Sequence, residues 1–315
     1  MKAIVCTKYG APEVLKLRDV EKPVPQNNEV CIKIHATAVT ASDIYIRSSQ
    51  IPIQFLIPMR LMLGITKPRK SIIGLVLAGE IESIGKNIER FKIGDKVYGV
   101  TGFGMGAYAQ YKCMRENDSM NGCLAIMPLN ISYEEATSTA YGGLLALQYI
   151  EKGNIQPNQK VIIYGASGTS GTIAVQLAKY LGAHVSGVCS TSNLDLVKSL
   201  GADYVIDYTK QKSLNLDTHF DFMLDAAGKL KTSELKTACK KALYPEGKYV
   251  SIDDGKLELK SERLMQLKGL IEAGHIKPVI DRIYPLEQIV EAHRYVAQGH
   301  KKGGVVISVS HDNNY

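Results

Sequence analysis

The sequence predicts an α/β protein in which a doubly wound parallel sheet follows a β-rich first part. Three observations carry that prediction. From residue 132 to 252, short apolar runs alternate with helical segments, the pattern of parallel strands covered on both faces. A glycine-rich turn, Tyr164 to Gly171, joins one such strand to one such helix. Before residue 125, short alternating segments stand between Pro and Gly turns.

In chain order, Met1 to Cys6 runs straight into a strand-like segment, and Val30 to Ile34 alternates as a half-buried strand does. Ile81 to Gly85 and Phe91 to Asp95 read as a strand, a turn and a second strand, with Val97 to Val100 as another. Residues 51–66 (IPIQFLIPMRLMLGIT) are nearly all apolar, but Pro52 and Pro58 break them too often for a long helix. They read either as a buried core segment or as an apolar lid over a site. Glu134 to Ile150 has helical periodicity, and Lys160 to Tyr164 is a short apolar strand. Residues 172–181 form a helix with Ile173, Leu177 and Leu181 on one face. His184 to Val188, Tyr204 to Ile206, Phe222 to Leu224 and Lys248 to Ile252 read as further buried strands. Two helices (about 262–273 and 286–298) and a strand, Val305 to Val309, complete the chain. The expected domains are 1–125 with 262–315, and 126–261.

Composition narrows the function. With 315 residues, 45% hydrophobic and 22% charged, the chain can bury a full core. The net charge of +7 is spread, with short basic clusters only at Lys67 to Lys70 and His300 to Lys302. Such a surface suits an anionic cofactor and gives little support to a nucleic-acid partner. The six cysteines, at 6, 31, 113, 123, 189 and 239, form no CxxC pair and no zinc-ligand spacing. Scattered thiols point to a reducing compartment. No apolar run is long enough to cross a bilayer, so the expected location is cytoplasmic, away from membranes.

The turn after Tyr164 reads Gly165-Ala166-Ser167-Gly168-Thr169-Ser170-Gly171, a GxGxxG variant with Ala166 in the first glycine position. A glycine at 168 lets backbone approach a pyrophosphate, and a small residue at 171 lets the helix pack closely on its strand. The phosphates would rest on free N–H groups at the helix N-terminus, so residues 166–171 are the candidate cofactor cradle. NAD sites place an acid at the end of the second strand. Here that strand ends Cys189-Ser190-Thr191-Ser192, with no acid before Asp195. Hydroxyls without a carboxylate accommodate a 2′-phosphate, which favours NADPH; Lys198 is the nearest cation in sequence. Ser190 and Thr191 also fit an ordinary helix cap.

The whole pattern resembles the medium-chain dehydrogenase/reductase superfamily, and within it the quinone oxidoreductase branch. The motifs are Gly74…Ala78-Gly79-Glu80-Ile81…Ile84-Gly85, Gly94-Asp95-Lys96-Val97-Tyr98-Gly99 and Gly106-Ala107-Tyr108-Ala109-Gln110-Tyr111. The glycine turn, Leu200-Gly201-Ala202-Asp203…Ile206-Asp207-Tyr208 and Asp225-Ala226-Ala227-Gly228 add to them. The resemblance implies a Rossmann NADP-binding domain with a GroES-like catalytic domain, and hydride transfer from NADPH to a quinone or an α,β-unsaturated carbonyl. It also implies cofactor contacts from Tyr208 and Asp225. Zinc-dependent relatives carry ligands where this chain has Thr40 and Gly74-Leu75-Val76, and these side chains cannot bind the metal. By the same match Thr40 and Tyr45 line the substrate side, with Tyr45 either a proton donor or a wall; Asp43 and Arg47 are expected to pair. A Thr that touches the nicotinamide in the family is Leu145 here, which leaves backbone at Gly142 and Gly143 to make that contact. A homodimer is the family's expected assembly, but the stretch from Ile252 to Glu262, which carries its edge strands, is short. Two other readings stay open. One is an enoyl-thioester reductase with a basic entrance at Lys67, Arg69 and Lys70; the other is a non-catalytic relative acting as an RNA-binding or structural protein.

Overall fold

The structure is a computed structural model that describes residues 1–48, 57, 60–61, 63–215 and 218–311. Most of the apolar segment 51–66 lies outside the described residues, and so does the choice between core and lid.

The chain divides into two compact units. One holds residues 1–141, 259–265 and 280–315, and the other 142–258 and 266–279. The sequence places the first boundary at 125/126; the division instead falls inside a continuous helix, after Tyr141, because helical periodicity gives no sign of which unit a residue packs in.

The first unit contains β1 (Lys2–Cys6), β2 (Leu15–Asp19), β3 (Glu29–Ala38), α1 (Ala41–Ser48), β4 (Val76–Ile84), β5 (Lys96–Val100), β6 (Tyr111–Arg115) and β7 (Cys123–Ile126). Phe91 to Asp95, expected as a strand, is a turn: Asp95 Oδ2 accepts from Lys92 N at 2.9 Å, and the strand begins at Lys96. A long helix, α2 (Tyr133–Gly153), then crosses the boundary.

The second unit runs β8 (Lys160–Tyr164), α3 (Thr169–Tyr180), β9 (His184–Cys189), α4 (Leu194–Ser199), β10 (Tyr204–Asp207), β11 (Phe220–Asp225), α5 (Glu234–Lys241) and β12 (Leu243–Ser251); the next helix, α6 (Ser261–Glu272), is divided between the units after Met265. β13 (Ile280–Pro285), α7 (Ile289–Ala297) and β14 (Gly304–Ser308) return to the first unit, where the main sheet has the order β13-β14-β3-β4-β5-β7 with β6 also on β3.

In the second unit the sheet order is β10-β9-β8-β11-β12, all parallel. Val161, Ile162 and Ile163 on its central strand are fully buried, as strands covered on both faces require. The order reverses between β8 and β11. Doubly wound sheets take their ligands at such a switch point, at the carboxyl ends of the strands. Gly187 on β9 lets α4 close down: a Cβ there would stand 2.4 Å from Val197.

Candidate functional site

Two turns meet at the switch point. After β8 the chain makes the turn Gly165 to Gly168; after β11 it makes Asp225 to Gly228. A Cβ on Gly165, whose φ is +83°, would stand 3.0 Å from the Ala227 nitrogen, so only glycine allows the turns this close. Gly171 is forced by packing as well, since a Cβ there would fall 2.1 Å from the Gly165 carbonyl oxygen. Gly168 differs. Its φ is −74°, open to any residue, and a Cβ would meet only the Gly165 oxygen at an ordinary 3.5 Å. Among the described residues, nothing demands a glycine there, and the space beside it is open. Gly168 caps the twelve-residue α3, whose first turn presents N–H groups without intrahelical partners.

Beside this cradle, the end of β9 is more acidic than its own sequence shows. Pairing of β10 with β9 brings Asp207 under Thr191, whose hydroxyl donates to Oδ2; Oδ1 accepts from Thr209 N at 2.9 Å and Thr209 Oγ1 at 2.6 Å. Burial pushes the Asp207 carboxyl up, and the hydrogen bonds from Thr191 and Thr209 outweigh it, holding the group below the ordinary aspartate value. The hydroxyl of Thr191 is therefore committed. Ser190 lies 3.3 Å from Ser192 Oγ and accepts from Asn193 Nδ2 at 3.1 Å, and that amide also reaches Ser167 Oγ at 3.1 Å. Ser190 does stand at the cap of a short 3-10 turn, without a side-chain capping bond. Tyr208, half-exposed, follows β10 and its N–H donates to the Cys189 carbonyl.

Three residues expected at the cofactor are engaged within the chain. Asp225 is fully buried beneath its turn. Its Oδ1 accepts from Ala227 N and Gly228 N at 3.2 Å each, and its Oδ2 from Tyr249 OH at 2.9 Å. The buried Lys236 ammonium lies 2.5 Å from the same Oδ2 and donates to the Gly228 and Lys231 carbonyls at 2.8 Å. Asp225 is thus the clamp that shapes the turn, and Lys236 is the partner that sequence reasoning missed. Gly142 and Gly143 lie in the middle of α2, where i→i−4 bonds consume the backbone groups assigned to a cofactor. Packing explains both: a Cβ on Gly142 would meet Thr169 Cγ2 at 2.7 Å, and one on Gly143 would meet Leu267 at 2.3 Å.

In the first unit, Thr40 begins α1 with a reciprocal cap. The Asp43 N–H donates to Thr40 Oγ1 at 3.2 Å, while Asp43 Oδ2 accepts from Thr40 N at 2.8 Å and Thr40 Oγ1 at 2.6 Å. The Thr40 hydroxyl is therefore spent on its own helix. Asp43 is fully buried, and burial drives its carboxyl up to about 6 against the pull of the Thr40 bonds. The expected Asp43–Arg47 pair does not form; the Arg47 guanidinium donates to the Gly10 carbonyl instead. Behind this cap, buried Tyr108 lies 3.2 Å from His293 Nε2. Burial, with Arg47 assisting, pushes His293 down to about 3, so its ring is neutral. Tyr45, on α1, is 39% exposed and accessible to a substrate.

No group of three or more His, Cys, Asp or Glu among the described residues could hold a metal ion. Thr40, Leu75 and Val76 lack the donors that zinc needs. No helix among the described residues is long and apolar enough to cross a membrane.

A 3-2-1-4-5 parallel sheet with a glycine turn at its switch point, in one chain with a mostly antiparallel β unit, defines the class as a two-unit dinucleotide-binding protein. Residues 26–126 match the family model described as "Alcohol dehydrogenase GroES-like domain". Residues 171–272 and 255–307 match models described as "Zinc-binding dehydrogenase". The chain is 30% identical to the 2-methylene-furan-3-one reductase of Solanum lycopersicum, over 98% of this chain and 79% of that protein. It is 28% identical to the NADPH-dependent alkenal/one oxidoreductase, chloroplastic, of Arabidopsis thaliana, with the same coverages of 98% and 79%. The solved quinone oxidoreductase from Coxiella burnetii superposes with a TM-score of 0.85 at 26% identity, covering 98% of this chain and 99% of that one. The chain belongs to the medium-chain dehydrogenase/reductase superfamily of oxidoreductases, in its quinone oxidoreductase branch.

Proposed function

We propose that the protein is a zinc-independent oxidoreductase that passes hydride from NADPH to a quinone or an α,β-unsaturated carbonyl. Gly168 carries the reading: a glycine that neither backbone conformation nor packing requires, at a helix N-terminus on the switch point. Bound NADPH would supply the hydride. Backbone N–H groups from Thr169 to Gly171, with the hydroxyls of Ser167, Thr169 and Ser170, would hold its pyrophosphate on the dipole of α3, over the open Gly168. Ser190 and Ser192 would meet the 2′-phosphate, with Asn193 holding Ser190 in place, and Tyr208 would flank the adenosine side. Asp207 weighs toward a free 2′-hydroxyl, but its oxygens are occupied by three donors from Thr191 and Thr209.

On the substrate side, Tyr45 has an unburied phenol able to donate to the carbonyl oxygen as hydride reaches the conjugated carbon. Thr40 would shape the pocket rather than donate, because its proton points to Asp43. Without a Lewis acid an alcohol is hard to ionise at neutral pH, whereas an electron-poor acceptor needs mainly positioning. The enone in the name of the tomato relative's substrate and the alkenal of the Arabidopsis relative support that acceptor class.

Oxidation of NADPH and of NADH, each with a p-quinone, a 2-alkenal and an enoyl-CoA, tests the proposal. Turnover of quinone or alkenal with a lower KM for NADPH is expected. Equal KM values for the two cofactors would remove the NADPH preference. Turnover of enoyl-CoA alone would make the protein an enoyl-thioester reductase, and no turnover with salt-sensitive RNA binding would make it a non-catalytic relative. A Tyr45→Phe variant with full kcat on the quinone and the alkenal would make Tyr45 a wall.

A further inference from the structure

β3 and β6 run antiparallel with Cys31 directly opposite Cys113. Their ladder shows which kind of pair this is. Ile34 N donates to the Gln110 carbonyl at 2.8 Å and Glu116 N to the Asn28 carbonyl at 3.2 Å, so hydrogen-bonded pairs fall at 28, 30, 32 and 34 on β3 and its lead-in. Cys31 and Cys113 therefore occupy a non-hydrogen-bonded position, where opposed Cα atoms stand about 4.5 Å apart and side chains lie closest. That spacing falls within the range a disulfide spans without backbone movement, about 4.4–6.8 Å. The two side chains share one face of the sheet, and the Cys31 thiol donates to the Pro23 carbonyl at 3.7 Å. Cys31 is buried and Cys113 is half-buried, which leaves one sulfur open to a small oxidant.

We propose that Cys31 and Cys113 are a reversible dithiol–disulfide site, oxidised by a hydroperoxide. The accessible Cys113 sulfur attacks a peroxide oxygen; the S–O bond forms as the O–O bond breaks, giving a sulfenic acid, and the other oxygen leaves with the thiol proton as water (an alcohol, from an organic peroxide). Cys31 then attacks that sulfur. The S–S bond forms as the S–OH bond breaks, and the hydroxyl leaves as a second water with the Cys31 proton. The neighbouring Cys113 holds the Cys31 thiol below the ordinary thiol range despite its burial, while the same neighbour and burial push Cys113 up. Lys22, Glu82, Glu29 and Lys112 are the charged groups around the pair. The remaining thiols are placed otherwise: all four are buried, Cys6 opposes Leu15, Cys123 opposes Val100, Cys189 opposes Asp207, and Cys239 lies on α5. Oxidation is therefore selective. The bond would tie β3, which leads into Thr40, to β6, which follows Tyr108.

The test uses the reduced full chain, treated with hydrogen peroxide, alkylated without reduction, digested and mapped by mass spectrometry. A linked peptide joining Cys31 and Cys113 is expected, within monomeric protein and lost on dithiothreitol, with the other four cysteines alkylated. Cys113→Ser, a near-isosteric change at a half-buried position, should give no linked peptide and leave Cys31 alkylated. In the wild type, two alkylated thiols, a Cys113 sulfinic acid with no linked peptide, or a linkage confined to covalent dimers would each overturn the proposal.

Discussion

A methyl group on Gly171 would sit 2.1 Å from the Gly165 carbonyl oxygen, while the same group on Gly168 would have 3.5 Å of clearance. Gly171→Ala is therefore expected to lose about 1–3 kcal/mol of stability through overpacking. Gly168→Ala should stay within about 0.5 kcal/mol of the wild type in urea unfolding and raise the KM for NADPH severalfold. An unchanged KM in a stable Gly168→Ala protein would mean that the space serves something else. Both glycines stood out in the sequence, because the motif lies within one short stretch of chain. Asp207 and Lys236 were not. Asp207 reaches Thr191 only through the pairing of two strands, and Lys236 reaches Asp225 from a different helix. Neither contact leaves a mark at fixed spacing along the chain.

At the start of α1 the reciprocal cap has a measurable dependence on pH. Burial raises the Asp43 carboxyl from an ordinary 3.8 to about 6, so folding favours its protonated form. The stabilisation this adds is fully present below about pH 3.8 and is lost as pH rises through about 6. The shift corresponds to at most about 3 kcal/mol. Wild-type stability measured against that of Asp43→Asn should therefore fall by up to this amount between about pH 4 and pH 7. Parallel pH profiles for the two proteins would show that Asp43 keeps an ordinary affinity for its proton. The spacing Thr40-x-x-Asp43 carries a capping signal that sequence alone could have supplied. The family likeness drew the reading toward substrate instead. A similar conflict arose within α2. A helix predicted over Glu134 to Ile150 already takes up the backbone of Gly142 and Gly143, and a cofactor contact there was incompatible with the helix itself.

For the molecule as a whole, alternation of apolar runs and helices was enough to foresee a parallel doubly wound sheet, since strands covered on both faces cannot hide their composition. Register and adjacency were not foreseeable, and the facing of Cys31 and Cys113 depends on both. The closeness of Gly165 to Ala227 carries one more consequence, for the order of events in folding. The two turns are neighbours only once β8 and β11 have paired, and β9 and β10 intervene between them along the chain. Pairings this distant in sequence are slow to form, and the cradle is incomplete until they have. A ligand that recognises only the finished cradle has nothing to grip in the transition state. Saturating NADPH should then slow denaturant-induced unfolding at least tenfold while leaving the refolding rate unchanged, as stopped-flow fluorescence would record. Faster refolding with NADPH present would mean that the turns meet before the barrier is crossed.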